Sequence, residues 1–138
     1  LSESTIIKLV DQSEKQTVSI EEVKELFRYY KELTNKTGKQ LNWEYDEAAF
    51  PYEIKEPSEG KDYSFYLYSS AQPRYHLILV GVGNETESDC SFIQISLHPH
   101  SGIGDKGKAN EFAKFLAKKL KGELHLFNKR IMYFYPRK

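Results

Sequence analysis

Apolar positions recur along this chain with two different periods, and the alternation between them lays out the elements. Between Ser19 and Thr37 the period is helical: Val23, Leu26, Phe27, Tyr30 and Leu33 fall on one face. Ser19-x-x-Glu22 opens this segment as a capping box, in which the serine oxygen takes an orphan N–H and the glutamate reaches back. Glu21 and Glu22 suit the positive end of the helix dipole, and Gly38 is the expected stop. A second stripe, Ala109, Phe112, Ala113, Leu116 and Leu120, predicts a helix from about Lys106 to Lys121. Lys118, Lys119 and Lys121 suit its negative end, and Gly122 is expected to close it.

Elsewhere the pattern is that of strands. Thr5 to Val10 reads as a short strand. After a loop that holds Trp43, another runs over Tyr52 to Glu56. Tyr63 to Ser69 and Tyr75 to Val82 are rich in β-branched and aromatic residues, and Gln72 and Pro73 between them predict a hairpin. Ser91 to Leu97 alternates, with Ile93, Ile95 and Leu97 on one face and Phe92, Gln94 and Ser96 on the other. Glu123 to Phe127 and Ile131 to Tyr135 flank the turn Asn128-Lys129-Arg130 as a terminal hairpin. The order is β-α-β-β-β-β-α-β-β. Short turns between consecutive strands imply a mostly antiparallel sheet, and two amphipathic helices on one face complete an α+β fold.

The length, 138 residues, suits a single domain over 1–138. One cysteine, Cys90, excludes an internal disulfide and favours a reducing compartment. The longest apolar run, Leu77 to Val80, is too short for a bilayer, and the first residues lack the charge and apolar pattern of a signal peptide. A cytoplasmic location follows as the expectation. Net charge is zero but uneven: from Lys106 to Lys138 ten Lys and Arg against two acids give +8, and the rest of the chain carries −8. Either the two regions face each other, or a basic surface seeks a phosphate or an acidic partner. Nucleic acid is not expected, because zero overall charge exerts no long-range pull.

One segment invites a nucleotide reading. In SGIGDKGKAN, Gly102, Gly104 and Gly107 spell G-x-G-x-x-G, and Gly102 to Lys108 spell the phosphate-loop frame G-x-x-x-x-G-K. Ala109 stands where a Ser or Thr would hold magnesium, and no βαβ unit with a later acid follows. The plainer expectation is a glycine-rich helix entry capped by Asp105 or Ser101. An intermediate reading is a simple anion site of loop N–H groups (Gly102, Gly104, Gly107) with Lys106 and Lys108. His98 and His100 could begin a metal site, with a third ligand from Asp105, His76, His125 or Cys90, but Pro99 between them breaks the strand. No metal and no cofactor is expected. Nothing local activates Cys90 as a nucleophile, and the acids Glu44, Asp46 and Glu47 lack a partner for acid–base work. The tyrosines say more. Tyr63, Tyr66, Tyr68, Tyr133 and Tyr135 fall on predicted strands, so a sheet covered on one side would leave aromatic rings on the other, as interaction surfaces do.

The stretches from Ser19 to Trp43 and from Gly104 to Lys138 resemble a family of small uncharacterised proteins from Bacillus and related spore-forming bacteria, a domain of unknown function with an α+β fold. The resemblance covers nearly the whole chain. It implies a bacterial cytoplasmic protein and brings no catalytic residue, cofactor or partner. The leading expectation is therefore a non-enzymatic module that acts by self-association or through a protein partner. The alternative is phosphate or small-anion binding, possible for a nucleotide too, at the loop 101–110.

Overall fold

The computed structural model describes residues 3–41 (backbone alone for 34–41), 52–55, 64–69, 75–85, 89–99 and 101–135. Among the described residues nine elements follow one another: β1 (Ser4–Lys8), α1 (Ile20–Leu41), β2 (Glu53–Lys55), β3 (Ser64–Tyr68), β4 (Leu77–Asn84), β5 (Ser91–Leu97), α2 (Asp105–Leu120), β6 (Glu123–His125) and β7 (Ile131–Tyr133). The order is the expected one. These seven strands form one antiparallel sheet in the order β2-β3-β4-β5-β1-β6-β7.

Alternation along the strands decides which side is buried. Thr5 and Ile7, Phe65 and Leu67, Ile78 and Val80, Ile93 and Ile95, and Leu124 point to one face and are almost fully covered. Both helices lie on that face. Phe27 of α1 meets Phe65 of the sheet and Phe112 of α2 edge-to-face, with ring centroids 5.8 and 5.4 Å apart. The predicted stripe of α2 is buried throughout, joined by Ala117. In the α1 stripe Val23 and Phe27 are buried, whereas Leu33 emerges into solvent. On the outer face, glycines replace side chains at Gly81 and Gly83, and the Phe92 ring lies across Gly83: a Cβ there would stand 2.5 Å from Cζ of Phe92.

The capping box forms as expected: Glu22 N–H donates to Ser19 Oγ and Ser19 N–H to Glu22 Oε1, both at 3.2 Å. The bond with Lys15 is the main cause that lowers the Glu22 pKa, despite some opposing burial. Gly38 does not stop α1, which continues to Leu41; a glycine within a helix costs only about 1 kcal/mol relative to alanine and does not by itself break it. Nor does Gly122 take the left-handed closing position of α2. Lys121 does, with φ 53° and ψ 52°. Gly122 is needed for a different reason: a Cβ there would lie 2.9 Å from Ile7 Cγ2 and 3.0 Å from the Lys8 carbonyl, so the chain leaving α2 passes tight against β1.

Candidate functional site

The glycine-rich segment builds a buried hub around Asp105. Continued one turn back, the apolar stripe of α2 (Ala109, Phe112) passes through Asp105, so the first helical residue faces the core with no solvent exposure. A carboxylate in such a place needs several donors. Its Oδ2 accepts from Gly102 N–H at 2.6 Å, His76 N–H at 3.0 Å and Leu77 N–H at 3.1 Å. Its Oδ1 accepts from the Tyr52 hydroxyl, with a longer contact of 3.3 Å to His76 N–H. Burial, then the bond to Asp105, raises the Tyr52 pKa far above that of an ordinary phenol, so the hydroxyl stays protonated and donating. Ser101 completes the lock: its hydroxyl donates to the Leu77 carbonyl at 2.6 Å and accepts from His98 N–H at 2.8 Å.

Neither Asp105 nor Ser101 caps the helix. The N-cap is Gly104, whose φ of −85° any residue can adopt, and no side chain bonds the cap N–H groups. Both candidates look inward because backbone groups at the start of β4 claim them: the His76 and Leu77 N–H groups donate to Asp105, and the Leu77 carbonyl accepts from Ser101. Lys106, Gly107 and Lys108 belong to the first turn of α2 rather than to a loop. Lys106 Nζ binds Glu3 Oε2 at 2.8 Å and lies 5.5 Å from the centre of the Phe127 ring. Lys108 Nζ binds Glu111 Oε2 at 3.1 Å. A Cβ on Gly107 would meet nothing within 4 Å, so space does not demand glycine there. Of the five residues considered for an anion, Gly102 gives its N–H to Asp105 and both lysines hold carboxylates.

The tyrosines fall into two groups. Tyr66 and Tyr68 stand on the outer face of β3, and Tyr68 meets the His76 ring at 5.9 Å. Tyr133 and Tyr135 lie at the opposite end of the sheet, with ring centroids 5.8 Å apart and the Tyr135 hydroxyl donating to Glu123 Oε2 at 3.2 Å. Five strand spacings separate β3 from β7, about 24 Å at the usual separation. Tyr63 lies outside the described residues, as do His100, Trp43, Glu44, Asp46 and Glu47. Among the described residues no group of three or more His, Cys, Asp or Glu is placed to hold a metal. His125 Nε2 contacts Glu123 Oε1 at 2.7 Å, and Cys90 is buried.

The most exposed apolar strand is β7. Ile131, Met132 and Tyr133 keep 42, 38 and 43 % of their surface in water, and β7 ends the sheet. The family profile of a domain of unknown function, DUF1885, matches residues 3–136. The chain belongs to this family. It is also similar to a solved structure described as a protein of unknown function from Bacillus stearothermophilus, with 42 % identity over 91 % of this chain and 95 % of that one, and a TM-score of 0.58. No curated protein matches the chain. The relatives thus establish a bacterial α+β family and assign it no activity. No helix among the described residues is long and apolar enough to cross a membrane.

Proposed function

We propose that this protein is a non-enzymatic binding module that pairs with a second copy of itself along β7. The observation that carries the reading is the run of three exposed apolar side chains on a sheet-terminal strand, where proteins that avoid association place charges or proline. The ladder supplies a register. Leu126 N–H donates to the Arg130 carbonyl and Phe134 N–H to that of Gly122, with Leu124 opposite Met132. By alternation, Ile131 and Tyr133 turn their main-chain groups away from β6. An antiparallel pair centred on Met132 sets Ile131 opposite the partner's Tyr133, twice. Each such pair lies in hydrogen-bonding phase, and β-branched residues favour aromatic ones across strands. The contact is isologous, as a two-fold dimer requires, and sets no like charges opposite one another among Lys129 to Tyr135. The buried, single Cys90 supports a reducing, cytoplasmic setting.

A strip this narrow predicts weak association, with Kd on the order of 10 μM to 1 mM. Sedimentation velocity across that range should show a monomer–dimer equilibrium, and Ile131→Lys with Tyr133→Lys should hold the chain monomeric with its fold intact. A wild-type chain that stays monomeric at about 1 mM overturns the reading.

A further inference from the structure

We propose a second binding site: a cleft between α2 and the β6–β7 hairpin that takes a small phosphate monoester. The cleft has a volume of about 510 Å3, within the range of small-molecule sites. One wall is a single stripe of α2, Lys106, Asn110 and Lys114, at successive turns of the same face. The other wall carries Phe127, Asn128 and Arg130 from the hairpin. It holds three cations and no acid. Glu3 reaches Lys106 at 2.8 Å and offsets one of them. Lys114 and Arg130 make no side-chain ion pair or hydrogen bond among the described residues. Two uncompensated cations across one cleft match the charge of about −1.5 to −2 on a phosphate monoester at neutral pH. The guanidinium fork suits its oxygens.

The remaining polar groups of the lining, Asn110 and Asn128, can donate to an anion. The Asn128 carbonyl oxygen accepts Arg130 N–H at 3.0 Å, which leaves its NH2 to donate. Asn110 is half-buried, and its amide has no partner among the described residues. Phe127 gives the cleft an apolar wall, so the ligand is an organic monoester rather than bare phosphate. A concave site in a chain of zero net charge favours a small anion over a polyanion. The cleft borders β7 at Met132, but its decisive residue, Lys114, is on α2, outside the strand proposed to pair.

The test is an amide NMR titration of the intact chain with AMP, inorganic phosphate and adenosine, beside Lys114→Met, Arg130→Met and a control, Lys118→Met, on the same helix. All three positions are exposed, so the fold should persist, and thermal melts will verify it. Expected is saturable AMP binding with shifts at Asn110, Lys114 and Arg130, at least about 10-fold weaker in either cleft variant and unchanged in the control. Adenosine should not bind, and phosphate should bind more weakly than AMP. Shifts confined to Gly102 to Ala109, equal weakening by Lys118→Met, or no saturation below about 5 mM each overturn the cleft. Phosphate binding as tightly as AMP overturns the organic body.

Discussion

The hub at Asp105 and the strand β7 are opposite solutions to the same problem, where to place groups that solvent and core treat differently. At the hub a charged carboxylate sits with no exposure, and four donors from three separate segments surround it. At β7, three apolar side chains keep about two-fifths of their surface in water. The segment with motif-like glycines thus encloses its carboxylate, although Ile103 beside it stays exposed, and the strand without any motif is open along its whole length. A nucleotide-like spelling can arise from architecture alone. Here Gly102 stands where its N–H reaches an internal carboxylate.

Asp105→Asn probes the enclosed side hardest. The amide presents N–H groups to backbone N–H donors, so stability should fall by about 3 kcal/mol or more in urea titrations. A loss below about 1 kcal/mol would mean that the hub is not as tightly held as its distances indicate. Tyr52→Phe should cost about 1–3 kcal/mol near neutral pH, since one carboxylate oxygen loses its strongest donor. The sign of its pH dependence is set by the raised native pKa. Below the ordinary phenol value of 10.0 the native advantage is complete, and it declines as pH rises and the unfolded phenol ionises. The difference between wild type and Tyr52→Phe should therefore shrink between about pH 9 and about pH 11. Gly107→Ala should stabilise the chain by about 0.5–1 kcal/mol, because open space surrounds this helical glycine. A destabilised variant would show that the glycine has a role that its surroundings do not reveal. On the open side the effect on stability should be smallest: Ile131→Lys should leave the monomer within about 0.5 kcal/mol of wild type while removing dimer. Unfolding of that variant would place β7 with the enclosed part of the molecule.

Local rules carried the sequence reading far. Ser91 to Leu97 is bounded as its alternation indicates, and the Ser19–Glu22 box bonds in both directions, because each depends on neighbours a few residues away. The α2 stripe was equally legible. What escaped depends on distant partners. Asp105 carried one signal, its position four residues before Ala109 on the buried face, but three of its four donors lie 28, 29 and 53 positions earlier. Gly122 gives its N–H to the Ala117 carbonyl at the end of α2, but what requires a glycine there is β1, far away in the chain, passing beside it. The cleft of Lys106, Lys114 and Arg130 likewise exists only once the hairpin folds back along α2.

The interior place of β1 has a consequence for the making of the protein. Its two neighbours are β5 and β6: Ser4 meets Ser96 across 92 positions, and Thr5 reaches His125 across 120. A ribosome adding 5–20 residues per second leaves β1 without either flank for roughly 5–20 s. During that interval its apolar Ile6 and Ile7 must be kept from other nascent chains, while the β3–β4 hairpin can already close. Long-range closure of this kind slows folding. The earliest strand of the sheet therefore waits longest for its neighbours.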